Sequence, residues 1–302
     1  MDKESMRYDS AAAVLPGSLR RAALTLSAEE RRQAEEIRLR AGQELTVMLS
    51  GEERGCGVTV EQADLEALCN LVTEFSRYAA VETLRQGYLT IRGGCRVGFC
   101  GTAVMKDGSV ANLKDYSSAV IRVAREKRGI ADGLPEQLFR DGRFVNTLIL
   151  APPGGGKTTL LRELVRCLSN GYDGCEGHRV ALVDERGEIA AARQGVLQMD
   201  VGKRTDVLDG CPKAMAIPMM LRCMNPQILA VDEITLREDI HAMTMAANCG
   251  VGLLATIHAA DVAELQRKPL YRELLAAEVF RIAVVLRETH RARSWYLEEL
   301  LC

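Results

Sequence analysis

The chain has almost no net charge. Its 39 lysines and arginines face 41 aspartates and glutamates, leaving −2 at pH 7. Neither half departs from this balance: residues 1–145 hold 21 basic and 21 acidic residues, the remainder 18 and 20. A protein that grips nucleic acid mainly by neutralising phosphates needs a basic excess, so that class is disfavoured. None of the ten cysteines is spaced C-x-x-C. Free thiols, several buried as small hydrophobes, are the simple expectation; Cys95 and Cys100 with a distant histidine leave a zinc alternative. No apolar run follows the opening Met-Asp-Lys-Glu-Ser, which predicts no secretory signal. The longest stretch without Lys, Arg, Asp or Glu, Ile240–Ala260, is broken by His241, Asn248, Gly250, Gly252 and His258. It reads as a helix, a glycine break and a buried strand rather than a membrane span. What is present is 302 residues, 47% of them hydrophobic. That excludes disorder as the main theme and suffices for two domains.

The patterning changes along the chain. Residues 28–36 predict a short charged helix capped by Ser27. Runs at 37–40, 45–49, 57–60, 88–91, 96–104 and 118–123 predict strands, with a turn at Lys106-Asp107-Gly108. Leu65, Leu68, Leu71, Val72 and Phe75 predict one helical face over 62–78. Residues 1–125 are therefore expected to form a small α+β domain, with 126–143 a linker. From 144 to 302 the style is different. Thr147–Leu150, Val180–Val183, Ile228–Val231 and Leu253–Ile257 are continuous apolar runs, each followed by a loop and a helical segment. Such strands predict an α/β domain whose parallel sheet is covered on both faces.

The first of these strands runs into Ala151-Pro152-Pro153-Gly154-Gly155-Gly156-Lys157-Thr158-Thr159 and then a good helix former. Strand, glycine loop and helix are the context of a phosphate-binding loop. Glycines let backbone N–H groups of residues 153–159 turn inward at phosphate oxygens, and the helix N-terminus favours the anion. Lys157 would reach the β- and γ-phosphates of ATP, and the Thr158 hydroxyl would ligate Mg²⁺. The strict pattern begins with glycine, and Ala151 is the smallest departure from it. A second strand, Ile228–Val231, ends in Asp232-Glu233. Asp232 is placed to hold Mg²⁺, and Glu233 to orient the attacking water. A third, Val180–Val183, ends in Asp184-Glu185 with Glu188 beyond. The fourth ends at Thr256-Ile257-His258, where His258 is placed to sense the γ-phosphate or the Glu233 carboxylate.

Four such elements in this order resemble the secretion ATPases, the RecA-like motors of type II and type IV secretion and pilus retraction. Asp184-Glu185-x-x-Glu188 matches their acidic box, with Asp184 where the family usually has Glu. Met220–Pro226 matches the approach to the strand ending in Asp232-Glu233, and Ala246–Gly250 the approach to the histidine box. Within the superfamily the likeness to its sporulation members covers nearly the whole chain. It includes Glu36–Gln43, Gly87–Gly94, Arg96–Gly98, Ile121–Glu126, Gly129–Asp132, Arg204–Leu208 and Cys211–Lys213. Thr235-Leu236 depart from it, standing where the family tends to carry Gly and a basic residue.

The resemblance implies a RecA-like P-loop ATPase domain preceded by the small domain, working as a homo-hexameric ring in the mother-cell cytoplasm. It also implies a channel complex of integral membrane proteins as partner, acting in endospore formation. Arg122 and Arg125 would reach the nucleotide from a neighbouring subunit, where a guanidinium spreads charge over phosphate oxygens. Glu185, Glu188 and His258 would join Lys157 and Glu233 in catalysis. Two rivals stand beside this reading: a RecA-like nucleic-acid-dependent motor, and a scaffold that uses ATP only to hold its ring together.

Overall fold

The structure is a computed structural model and describes residues 3–73, 88–106, 108–172, 174–289 and 292–300. The chain divides into two units, Met1–Glu126 with Ala191–Gln198, and Lys127–Ala190 with Met199–Cys302.

In the first unit, helices Lys3–Ala12, Gly17–Ala23 and Ala28–Gln33 lead into β1 (Ala34–Arg40), β2 (Glu44–Leu49) and β3 (Glu52–Thr59). Helix Gln62–Val72, β4 (Tyr88–Thr90), β5 (Arg96–Lys106) and β6 (Ser109–Arg122) follow. The strands form an antiparallel sheet in the order β3-β2-β1-β6-β5-β4. Alternation sets its faces: Ile37, Leu39, Val47, Val97, Phe99 and Ile121 are buried against Tyr8, Leu19, Leu65 and Leu68. Ser27 does cap its helix, in a capping box with Glu30. The helix ends at Gln33, three residues before the expected end, because Ile37 and Leu39 alternate into the core as strand β1, with an irregular register between Ala34 and Glu36 that buries Ala34 as well. The expected apolar face of 62–78 holds Leu65, Leu68 and Val72 inward, whereas Leu71 is turned to the surface; Phe75 lies outside the described residues. Cys95 is buried, with the Ala124 N–H 3.4 Å from its sulfur, whereas Cys100 is exposed. Among the described residues no group of three or more His, Cys, Asp or Glu is placed to hold a metal ion.

The second unit begins with residues 127–146. Ala131, Leu134 and Leu138 of this stretch are buried in its core, and β7 (Phe139–Arg140) pairs with β8 (Arg143–Phe144). Then come β9 (Thr147–Ala151), helix Lys157–Asn170, the hairpin β10 (Gly171–Tyr172) and β11 (Cys175–Glu176), β12 (Val180–Asp184) and β13 (Thr205–Asp209). Helix Lys213–Met224, β14 (Ile228–Val231), helix Arg237–Asn248 and β15 (Gly252–His258) continue the pattern. Two short helices, Val262–Arg267 and Pro269–Ala276, precede β16 (Ile282–Thr289) and β17 (Ala292–Glu299). The sheet order is β13-β12-β14-β15-β9-β16-β17. All pairings are parallel except β16 with β17. Every residue of β9, β12 and β14 is buried, as expected of strands covered on both faces. The run 240–260 is a helix, a turn at Gly250 and β15, and no helix among the described residues is long and apolar enough to cross a membrane.

Candidate nucleotide site

Strands β12, β14, β15 and β9 are neighbours in that order. Being parallel, they bring the acidic box, Asp232-Glu233, Thr256–His258 and the glycine loop to one edge of the sheet. The C-terminal edge of an open α/β sheet is where such folds bind ligands.

The loop geometry follows from its glycines. Gly154 has φ +75° and Gly156 φ +91°, conformations that side chains rarely adopt. A Cβ on Gly155 would stand 2.8 Å from the Ala151 Cβ and 3.0 Å from the Pro152 carbonyl. Ala151 is thus accommodated because its partner across the turn has no side chain. Pro153 and Gly154 are exposed, and Thr158 and Thr159 are half-buried at the helix start.

Lys157 is buried. Its ammonium donates to the carbonyls of Ala151 (3.0 Å) and Pro152 (3.2 Å) and lies 2.7 Å from His258 Nδ1. These three partners match its three N–H donors. Burial pushes its pKa below the usual lysine range, opposed by the charges of Glu233 and Asp232. The far nitrogen of His258, Nε2, is 3.0 Å from Glu233 Oε1. Lys268 donates to the His258 carbonyl at 2.8 Å and holds the strand end in place.

Asp232 Oδ1 accepts from the Thr256 hydroxyl (2.8 Å) and the Glu233 N–H (3.1 Å). Burial raises the Asp232 pKa; Thr256 opposes the shift and the carboxylates of Glu188 and Asp184 reinforce it. The Glu233 N–H also bonds Thr256 Oγ1 at 2.9 Å. Glu233 itself sits at φ 21°, at the edge of the left-handed region. Oxygen donors from Thr158 and Asp232 suit a hard divalent cation such as Mg²⁺, which binds through one or two protein oxygens and the substrate's phosphates.

The acidic box serves two ends. Asp184 is fully buried and accepts from the N–H groups of Glu188 (2.8 Å), Ile189 (3.0 Å) and Ala190 (2.8 Å), so it holds the turn together. Glu185 pairs with the buried Lys213. Arg162, from the helix after the glycine loop, donates to the carbonyls of Ile189 (2.6 Å) and Glu188 (2.5 Å). Beyond Glu233, Asp239 accepts from the N–H groups of Thr235 and Leu236, each at 3.1 Å, which ties that departure from the family pattern into the next helix.

The site also holds residues to which the motifs give no role: Thr256 beside Asp232, Lys213 on Glu185, and Arg186, whose Nη1 is 3.2 Å from Glu233 Oε2. Thr256 was within reach of sequence reasoning, lying two residues before His258. Arg186 and Lys213 were not, because their partners are far along the chain. Arg122 and Arg125 belong to the first unit. Arg122 Nε is 3.3 Å from Glu36 Oε1 with its side chain 68% exposed, and Arg125 donates to the Gln33 carbonyl.

A family model described as "Sporulation stage III, protein AA" matches residues 5–294. The chain belongs to that family. Over 269 residues the chain is 36% identical to stage III sporulation protein AA of Bacillus subtilis (strain 168), covering 89% of this chain and 87% of that protein. Solved structures give the fold. The pilus retraction motor PilT with bound ADP superposes with a TM-score of 0.60 at 17% identity, over 90% of this chain and 80% of that one. The Legionella pneumophila ATPase DotB gives 0.58 at 17% identity, over 88% and 76%. The chain therefore shares the fold of these two proteins.

Proposed function

We propose that this protein is an ATP-hydrolysing motor serving a specialised secretion or channel complex in endospore formation. The observation that carries the reading is the chain Lys157–His258–Glu233, which joins the phosphate loop to the residue placed to orient water. ATP binds with its phosphates in the cradle of residues 153–159. Lys157 leaves its loop carbonyls for the β- and γ-phosphates; Thr158 and Asp232 would hold Mg²⁺, which would neutralise phosphate charge. Glu233 positions the attacking water, with His258 holding one carboxylate oxygen. Glu185 and Glu188 support this edge electrostatically, and Arg122 and Arg125 approach the nucleotide of a neighbouring subunit in a homo-hexameric ring. The ring works in the mother-cell cytoplasm and attaches to the membrane through integral membrane partners.

Steady-state ATPase assays of the wild type and Glu233→Gln test the reading, together with nucleotide binding by Lys157→Ala. Turnover that is present in the wild type and reduced to a small residual rate in the Glu233→Gln variant supports it. Equal rates in the two proteins, or undiminished binding without Lys157, overturn it. Stimulation of turnover by single-stranded DNA or RNA would favour a nucleic-acid motor instead.

A further inference from the structure

We propose that Arg186 is a positioning residue for hydrolysis: with His258 it fixes the plane of the Glu233 carboxylate at which water is held. The inference rests on the reading of Glu233 given above.

The Glu233 carboxylate is gripped from both sides. Arg186 Nη1 meets Oε2 at 3.2 Å and His258 Nε2 meets Oε1 at 3.0 Å. The donors come from the ends of β12 and β15, the strands flanking β14. Rotation about the terminal bond of Glu233 would break one contact or the other. Each carboxylate oxygen carries two lone pairs, so one on each remains for a water molecule.

The backbone beneath is fixed as well. The Glu233 N–H bonds both Thr256 Oγ1 and Asp232 Oδ1. Only the side-chain torsions are left, and Arg186 and His258 settle those.

The guanidinium is launched from a rigid turn. Gly187 takes φ +60°, and its N–H bonds the Asp184 carbonyl at 3.1 Å. The three N–H groups that follow end on the Asp184 carboxylate, and Arg162 binds two of the carbonyls. The Arg186 side chain is 57% exposed and that of Glu233 only 19%. An ion pair so exposed at one end contributes little to stability, while its contact with Oε2 still restricts the carboxylate's orientation.

The test uses the full chain and compares the wild type, Arg186→Ala, Arg186→Lys, Glu233→Gln and the double variant R186A/E233Q. Arg186→Ala is expected to lower kcat by about tenfold to a hundredfold, the scale of a misplaced reacting group. KM and ADP affinity should stay within about twofold, because ground-state contacts are untouched. Lysine keeps the charge without the planar fork, so Arg186→Lys should recover part of the rate. In single-turnover measurements the Arg186→Ala effect should vanish once Glu233 is already glutamine, since a residue acting through Glu233 has nothing left to orient. If Arg186→Ala does not fold, Arg186→Lys and Arg186→Gln carry the comparison. An unchanged kcat overturns the proposal, as does a loss that persists in the Glu233→Gln background or appears in ADP affinity. Absence of any turnover in the wild type would instead overturn the hydrolysis reading on which it rests.

Discussion

The Nζ of Lys157 lies 2.7 Å from Nδ1 of His258, and the other ring nitrogen of that histidine lies 3.0 Å from Glu233 Oε1. An ammonium can only donate, so Nδ1 accepts and the ring proton sits on Nε2, facing the carboxylate. Nucleotide-free protein should therefore show the Nε2–H tautomer of His258 in long-range nitrogen NMR spectra. Adding ADP should change the Nδ1 shift as Lys157 moves to phosphate. A spectrum that ADP leaves unaltered would break the link between phosphate occupancy and this histidine.

Asp232 gives a prediction in pH. Its pKa is raised in the folded protein, mainly by burial. The folded state therefore binds the proton more tightly than the unfolded one. Stability favoured by the neutral carboxyl is fully present at low pH and is lost as pH rises through the raised value. At neutral pH the buried charge is a cost. Asp232→Asn removes it while keeping an oxygen that accepts from Thr256 and Glu233. Thermal unfolding of the nucleotide-free variant should come at a higher temperature than the wild type at pH 7, with the gap closing toward pH 4. A lower unfolding temperature at pH 7 would contradict this account of Asp232.

The glycine loop gives one in packing. A Cβ at Gly155 would meet both the Ala151 side chain and the Pro152 carbonyl. Gly155→Ala should destabilise by about 1–3 kcal/mol, the usual scale of an overpacked site, and weaken ADP binding. Ala151→Gly relieves only the first clash, so the double variant A151G/G155A should regain part of the affinity. Calorimetric titration with ADP across the three variants reads this directly.

Asp184 supports three backbone N–H groups, two of them buried. Asp184→Ala leaves them without that acceptor. The expected loss in urea unfolding is about 2–4 kcal/mol, several times that of an ordinary hydrogen bond. Asp184→Asn retains one acceptor oxygen and should lose less. Equal losses would show that the carboxylate's hydrogen bonds are not what holds the turn.

Much of the second unit was legible along the chain. The runs at 147–150, 180–183, 228–231 and 253–257 declare themselves because a strand covered on both faces must be apolar throughout. The run Ile282–Leu286 carries the same signal, but it leads into the antiparallel β17 rather than a helix, so the alternating pattern passes over it. Strand β13 mixes polar and half-buried residues at a sheet edge and has little pattern to read. The charged segment from residue 28 reads as helix through Glu36, yet Glu35 and Glu36 are in β1. Sheet pairing with β2 and β6 outweighs local propensity there.

The sequence by itself determined the chemistry: the glycine loop with Lys157, the carboxylates at strand ends and the histidine beyond the last of them. Each is a local signal, because a strand, its loop and its helix are contiguous. Only the tertiary structure decided the company these residues keep. It set β12, β14, β15 and β9 side by side, although Lys157 and His258 are 101 positions apart. It placed Arg186 against Glu233 and Lys213 against Glu185, and it drew residues 191–198 into the first unit. Such pairings depend on strand order, which the parallel sheet settles by burying apolar runs from distant parts of the chain together, and no local spacing encodes that order.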